Sequence, residues 1–206
     1  MMDIHRLDTI DSTNEEARRR VAAGAALPFV VLAGEQTAGR GTRGRRWHSP
    51  RGTGLYFSLA MTSEIDTVAR PGLVTVAAGV ACAQTLGAML GADVRLKPIN
   101  DLVLGDAKLG GILTEAIIAG DDTAIVVGVG INVRPVDLPS GERAASLADH
   151  VAPATLSAFT DEVVAGELAS AIAAWIDRAA GPDGEREVRR VWARHALAGA
   201  ELPEAM

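Results

Sequence analysis

Two lysines are exceptional in this chain, which otherwise uses arginine for its cations. The sequence holds 18 arginines and only two lysines, Lys97 and Lys108, which lie in one short segment. Lysine is a compact charge on a flexible stem, whereas arginine is a wide planar fork. A coding bias toward arginine explains ordinary surface cations, so a retained lysine indicates a position that arginine does not serve. We therefore interpret the segment around Lys97 and Lys108 as functional.

The loop from Gln36 to Gly54 has the composition of an anion-binding segment, with five arginines and five glycines. Glycines let backbone N–H groups approach an anion and leave a loop mobile, and guanidinium forks match phosphate geometry. These features favour a loop that folds over a polyphosphate, with a solvated surface loop as the alternative. Composition alone does not separate a nucleotide from a nucleic acid. Four of the five arginines are the candidate phosphate contacts: Arg40, Arg43, Arg45 and Arg46.

Within this loop, residues 39–44 satisfy the pattern G-x-G-x-x-G. A dinucleotide-binding fold needs these glycines to open a helix whose amino terminus holds the pyrophosphate. Here they are followed by Arg45 to Pro50, which has no helical period and ends in proline. A dinucleotide fold is therefore disfavoured, and the motifs of protein kinases and P-loop proteins do not occur.

Two further groups of residues indicate a ligand site. Asn100, Asp101 and Lys108 surround the predicted start of a hairpin. Gly128 and Gly130 are two apart, so on a strand they share one face and leave it bare, as suits a flat ligand lying against the backbone. The alternative for each glycine is a bulge or tight packing.

Apolar periodicity and turn residues predict an α+β fold in one domain, residues 1–206. A meander of strands turns at Gly105-Asp106 and at Gly120-Asp121-Asp122, and helices lie at the ends. Ser12 and Glu15 have the spacing of a capping box. Predicted helices cover 12–24, 71–91, 160–179 and 185–197; predicted strands cover 28–33, 55–61, 94–97, 102–104, 108–118 and 124–133.

Composition narrows the class of protein. A net charge of −6 argues against nucleic acid or an anionic membrane as a partner. The single cysteine, Cys82, excludes a disulfide framework and fits a reducing cytoplasm. No segment is expected to span a bilayer, and the charged amino terminus lacks a signal-peptide core.

Five motifs, taken in order, resemble those of the biotin protein ligases. They cover nearly the whole chain and are far more specific together than singly, and they differ from the signature of the lipoate ligases. Ser146-Leu147 is also similar to the family's nucleotide-side segment. The motifs are Ser12-Thr13-Asn14, Gln36 to Gly41 with Gly44 to Trp47, Asn100-Asp101-Leu102, Lys108 to Leu113, and Gly128 to Asn132.

The resemblance implies a fold and a set of site residues. The fold is a mixed, largely antiparallel sheet with flanking helices, like that of class II aminoacyl-tRNA synthetases. Arg40, Asp101 and Lys108 are the implied catalytic residues, with Lys108 contacting the biotin carboxylate and the α-phosphate and Asp101 acting as a base. Implied biotin contacts are Ser12, Thr13, Asn14, Gln36, Gly39, Arg40, Gly41, Thr42, Lys108, Gly111, Gly128 and Gly130; implied ATP contacts are Arg43, Arg45, Trp47, Lys97, Asn100 and Asn132.

The resemblance also implies the reaction. Biotin is activated by ATP and Mg²⁺ to biotinyl-5′-AMP and is then transferred to a lysine of a biotin carboxyl carrier protein. No metal ligands of the protein are implied, and a monomer or a homodimer is expected. Two rival functions stay open: a lipoate or other acyl-carrier ligase of the same fold, and a non-catalytic RNA-binding module that uses the arginine loop.

The chain departs from the family in four places. Pro98-Ile99 stands where the family has Trp-Pro, so an aromatic near the nucleotide is lost. Thr42 replaces a usual arginine. No helix-turn-helix precedes Ser12, and the chain ends about where the family's small C-terminal β-barrel begins. We therefore expect the catalytic domain without either appendage.

Overall fold

The computed structural model describes residues 2–67, 69–119, 122–138, 144–158 and 160–204. Seven strands form one sheet in the order β1-β2-β3-β7-β6-β5-β4, which confirms the predicted α+β fold. The strands are β1 Asp3–Leu7, β2 Phe29–Ala33, β3 Gly54–Thr62, β4 Arg95–Lys97, β5 Asp101–Leu104, β6 Ala107–Ala119 and β7 Asp122–Asn132. The helices are α1 Thr13–Ala22, α2 Pro71–Leu90, α3 Pro153–Ser157, α4 Asp161–Ala180 and α5 Gly184–His195.

The sheet is mixed because β1 is parallel to β2, whereas every other neighbouring pair is antiparallel. The predicted three-stranded meander is confirmed as β5 to β7, and the two-residue turn at Gly105-Asp106 joins β5 to β6. Strand β4 extends it by one antiparallel strand. The turn predicted at Gly120-Asp121-Asp122 includes residues 120 and 121, which lie outside the described residues. Strand β1 and the short helix α3 were not predicted from the sequence.

Alternation along the central strands gives the sheet two different faces. Odd-numbered residues of β3 and β7 join the main core, which helices α2, α4 and α5 cover. Even-numbered residues of the same strands face α1, and part of that face forms a smaller apolar cluster around Ala17, Val31 and Val126. Helix α1 covers only one end of this second face. The other end is left to polar residues and glycines, and the pocket lies there.

Helix α2 corrects one expectation from the sequence. From Gly72 to Leu90 it is long and apolar enough to cross a bilayer by length and composition, which we had not expected of any segment. In the fold most of this stretch is buried, because the helix packs against α4, α5 and the sheet. A helix buried on several sides is apolar all round, as observed for α2. Its Cys82 is fully enclosed, and burial raises the pKa of the thiol to about 12.

The start of α1 corrects another expectation. Ser12 is the residue before the helix, as predicted, but its side chain makes no capping hydrogen bond. Instead the Asp11 carboxylate accepts from the Ser12 backbone N–H at 2.7 Å. Hydrogen bonds from Arg19 lower the pKa of Asp11 to about 2. Glu15 is therefore free of the capping box and pairs with arginines nearer the pocket.

Candidate active site

A pocket of about 870 Å³ opens over the half of the sheet that α1 leaves uncovered. Its walls come from the start of α1, the loop after β2, and strands β6 and β7. This volume lies in the range of small-molecule and cofactor sites. The sequence motifs that were separate along the chain therefore meet around one cavity.

Glycines form the floor of the pocket, on adjacent strands. Gly111 of β6 is directly opposite Gly130 of β7, and Gly128 lies two residues away on the same face. Any Cβ at Gly128 would collide with the Asn14 side chain, and one at Gly130 would collide with the Trp47 indole. The predicted glycine strip is thus confirmed as one face. It is covered by Asn14 and Trp47 rather than bare.

One end of the pocket is polar and well ordered by hydrogen bonds. The Gln36 side-chain oxygen accepts from the Thr13 backbone N–H at 2.8 Å, and the Gln36 amide donates to Ser49 at 2.9 Å. Beneath them the buried Ser58 hydroxyl lies 2.8 Å from Thr13 Oγ1 and 2.7 Å from Asn14 Oδ1. These contacts fix several donors and acceptors at the amino terminus of α1 before any ligand arrives.

Lys108 brings a positive charge to the glycine floor. Its Nζ lies 2.5 Å from Asp101 Oδ1, and it also lies 5.5 Å from the centre of the Trp47 ring. The Trp47 Nε1–H is buried without a hydrogen-bond partner, the one such side-chain atom in the described part of the chain. Lys108 thus has one carboxylate partner, which a substrate anion can replace. Its aromatic neighbour, Trp47, has an N–H group without a hydrogen-bond acceptor.

Arg40, unlike Lys108, is bound by two carboxylates. Its guanidinium donates to both oxygens of Glu115, at 3.1 and 2.9 Å, and it also bonds to Glu15. Glu115 lies on β6 and also accepts from the Asn14 amide at 2.9 Å. The loop, α1 and β6 are therefore joined through one arginine.

Two other arginines, Arg45 and Arg46, turn toward their own loop. Arg45 donates to Thr42 Oγ1 at 3.0 Å and to the Thr42 carbonyl at 3.3 Å. Arg46 donates to the Thr37 carbonyl at 2.7 Å. The loop contains only the short 3₁₀ turn Thr42–Gly44 and opens no α-helix, which agrees with the exclusion of a dinucleotide fold.

Most of the predicted site residues line this one pocket, and five do not. Gly39 packs beneath the loop, where any Cβ would lie 2.5 Å from the Trp47 carbonyl oxygen. Arg43 and Lys97 are exposed. Asp101 reaches the pocket only through Lys108, and the buried Asn132 donates to the Ala145 carbonyl at 3.1 Å. Those that line it are Ser12, Thr13, Asn14, Gln36, Arg40, Gly41, Thr42, Arg45, Trp47, Asn100, Lys108, Gly111, Gly128 and Gly130.

Several lining or supporting residues were missed. Glu115 carried no signal, because in sequence it is an ordinary polar residue of a strand. Arg46 was noted for its charge but was not assigned to the site, and His48 and Leu138 had no recognisable motif. No group of three His, Cys, Asp or Glu residues that suits a metal ion occurs in the described ranges.

Comparison with known proteins places this pocket in a family. Residues 7–132 match the model of the biotin/lipoate A/B protein ligase family. The chain belongs to this family. A relative within it, the biotin–[acetyl-CoA-carboxylase] ligase of Paracoccus denitrificans, is 37% identical over 169 residues, which are 80% of this chain and 69% of that protein. The bifunctional ligase/repressor BirA of Escherichia coli is 44% identical over 129 residues, 62% of this chain but only 39% of that protein.

Solved ligase structures share the fold over nearly the full chain. The biotin protein ligase of Leishmania major in complex with biotin has a TM-score of 0.74 and 25% identity, and the match covers 99% of this chain and 85% of that one. The Aquifex aeolicus ligase in complex with biotin and ATP has a TM-score of 0.77 and 24% identity, over 96% and 79%. The second likeness supports the fold alone.

Proposed function

We propose that this chain activates biotin with ATP to give biotinyl-5′-AMP and diphosphate, and then transfers the biotinyl group to a lysine of a biotin carboxyl carrier protein. The observation that carries the proposal is one pocket that joins a preformed polar end, at Thr13 and Gln36, to the Lys108 ammonium across a glycine floor. A bicyclic urea with an aliphatic carboxylate has this distribution of polar groups. The names of the relatives support the same substrate.

The polar end receives the ureido ring in this proposal. Ser12, Thr13, Asn14 and Gln36 supply donors and acceptors that face the cavity. Gly39, Gly41 and Thr42 belong to the loop that closes over biotin. Gly111 leaves room for the flat ligand against the sheet, whereas Gly128 and Gly130 make room for the Asn14 and Trp47 side chains that border it.

In the first step an oxygen of the biotin carboxylate attacks the α-phosphorus of ATP, and diphosphate leaves. Both reactants are anionic, so their approach is opposed by like-charge repulsion. The Lys108 ammonium neutralises both partners, and a charge already aimed at the reacting atoms needs no reorganisation at the moment of reaction. Its single ion pair with Asp101 is the contact it exchanges for the substrates.

In the second step the amine of the carrier lysine attacks the acyl carbon of the mixed anhydride, and AMP leaves. The amine must lose a proton, and Asp101 is the proposed acceptor. Its carboxylate becomes available when Lys108 turns toward the acyl phosphate. The same movement of one ammonium therefore serves both steps.

The nucleotide is assigned to Arg43, Arg45, Trp47, Lys97, Asn100 and Asn132. Of these, Arg45, Trp47 and Asn100 line the pocket, and the Trp47 indole offers an aromatic surface where the sequence lacks one at Pro98-Ile99. Asn132 acts through Ala145, which it holds beside Ser146-Leu147.

Mg²⁺ belongs to the proposal only as the ion that ATP carries. The described residues offer no cluster of three metal-binding side chains, and Asp101 and Glu115 are both engaged by cations. Mg²⁺ is commonly held by substrate phosphates with few protein ligands. We place the reaction in the reducing cytoplasm, which suits the single free thiol at Cys82.

The test is exchange of labelled diphosphate into ATP with biotin, with lipoate and with neither, followed by transfer to a carrier domain. Biotin-dependent exchange with biotinylated carrier is the expected result. Exchange with lipoate alone identifies the lipoate alternative. RNA binding that weakens with salt, without exchange, identifies the RNA-binding alternative.

A further inference from the structure

We infer that Glu115 is a positioning residue, which holds the arginine-glycine loop, Gln36 to Gly54, against the pocket through the Arg40 side chain. The inference rests on the proposed function, because the loop forms one wall of the proposed biotin pocket. Glu115, Arg40, Glu15 and Asn14 together form what we call the latch.

The geometry of the latch is unusually complete for a partly exposed pair. Both Glu115 oxygens accept from two different nitrogens of Arg40, at 2.9 and 3.1 Å. Such bidentate pairing is stronger and more directional than a single contact. The Glu115 side chain is only 17% exposed, against 39% for Arg40, so water competes less for the carboxylate than for the guanidinium.

The latch is tied to the pocket floor as well as to the loop. Asn14 donates to Glu115 at 2.9 Å, and Ser58 Oγ lies within hydrogen-bond distance of Asn14 at 2.7 Å. Asn14 covers Gly128, on the floor where the ligand is proposed to lie. Because Glu115 contacts both Asn14 at the pocket floor and Arg40 of the loop, the position of the loop is coupled to the position of Asn14.

Charge balance explains why Arg40 is a poor candidate for a mobile phosphate clamp. Glu15 and Glu115 surround it, and Arg18 adds one more positive charge, 4.0 Å from Glu115. Two carboxylates and two guanidinium groups neutralise one another. The Arg40 charge therefore stabilises the fold of the loop, and anion recognition is left to Lys108 and to the cations assigned to the nucleotide.

The chain contains a matched control in Glu16. Its side chain is 18% exposed and pairs with Arg19 and Arg20, but these contacts lie within α1, away from the pocket. Glu115→Gln and Glu16→Gln both remove one charge from a similarly buried, arginine-paired glutamate. Any difference between the two variants reports on the loop.

The position of the loop can be measured by limited proteolysis, because trypsin cuts after exposed arginines such as Arg43. Cleavage after Arg43, followed by mass spectrometry without ligand, should be about tenfold faster in Glu115→Gln, because local opening sets the rate of cleavage. Glu16→Gln should be cut at the parental rate. Arg40→Gln should match Glu115→Gln, and the double variant should be no faster than the faster single one.

Activity gives the second readout. In biotin-dependent exchange, Glu115→Gln should raise KM for biotin about fivefold and change the maximal rate less, as expected for lost uniform binding. Equal loop cleavage in Glu115→Gln and Glu16→Gln overturns the latch, and so does a double variant whose effect is the product of the two singles. A parent without biotin-dependent exchange overturns the proposed function alone, since the cleavage rates are measured without ligand.

Discussion

Two cationic side chains at the pocket have nearly the same exposure and opposite arrangements. Lys108 is 36% exposed and has one carboxylate partner, Asp101. Arg40 is 39% exposed and is bound by two carboxylates, Glu15 and Glu115. Exposure alone therefore says little about what a charge does. The number of partners decides whether a cation can move to a substrate or holds a loop in place.

The largest effect is expected at Lys108. Lys108→Ala should lower biotin-dependent adenylate formation by about 10²- to 10³-fold, because a positioned charge at the reacting atoms is lost. Lys108→Arg should also fail, since a planar fork does not fit where a compact ammonium meets two anions. The measurement is diphosphate exchange, with the thermal midpoint as a check on folding.

Arg40→Gln is the control for the Lys108 variants, because it removes a pocket cation that has a different role. Arg40→Gln should act chiefly on KM for biotin, whereas Lys108→Ala should act on the maximal rate. If Lys108→Ala forms the adenylate at the parental rate, the assignment of Lys108 is wrong, and the comparison of the two cations loses its basis.

A methyl group at Gly128 should disturb the contacts that hold Arg40 and leave those of Lys108 unchanged. A Cβ there overlaps Asn14, which is 4% exposed and tied to Ser58 and Glu115. Gly128→Ala should lower the free energy of unfolding by about 1–3 kcal/mol, as overpacking of a filled site does. Urea denaturation measures it. Gly87→Ala in α2 is the control, because its Cβ would meet only Ala92 O at 3.5 Å.

The strands and the motif residues were predictable because their signals are local. Apolar runs bounded by turn residues marked β3 and the meander, and short motifs marked Thr13, Gln36 and Lys108. Strand β1 was missed because a charged five-residue edge strand, paired on one side with β2, shows little apolar periodicity. Glu115 was missed for a different reason. Its partner Arg40 is 75 residues away in sequence, and only the fold of the sheet brings them together.

Ligand should further order the loop that the latch holds against the pocket. With biotin and ATP present, trypsin cleavage between Gly39 and Trp47 should slow by about tenfold, because binding favours the ordered state of a glycine-rich segment. Biotin without ATP should protect less if the nucleotide contacts Arg45 and Trp47. Equal cleavage rates with and without both ligands would contradict a loop that orders on binding.

The smallest effect is expected at Thr42, where biotin protein ligases usually carry arginine. Arg45 already lies against Thr42, donating to its hydroxyl at 3.0 Å and to its carbonyl at 3.3 Å. An arginine at position 42 would add a charge-assisted hydrogen bond, to the adenylate or within the closed loop. Such bonds contribute about 1.5–3 kcal/mol, and exposure reduces that figure, so we expect about threefold to tenfold slower escape of the adenylate from Thr42→Arg.

Escaped adenylate acylates lysines without selection, and this chain has only two of its own. The measurement is biotin labelling of a lysine-rich bystander protein by the parent and by Thr42→Arg, at equal rates of adenylate formation. Lower labelling by the variant supports a loop that Thr42 leaves leaky. Equal labelling means that Arg45 already takes the role of the missing arginine. The adenylate is then retained by this neighbouring residue and not by the residue at position 42 that the family uses.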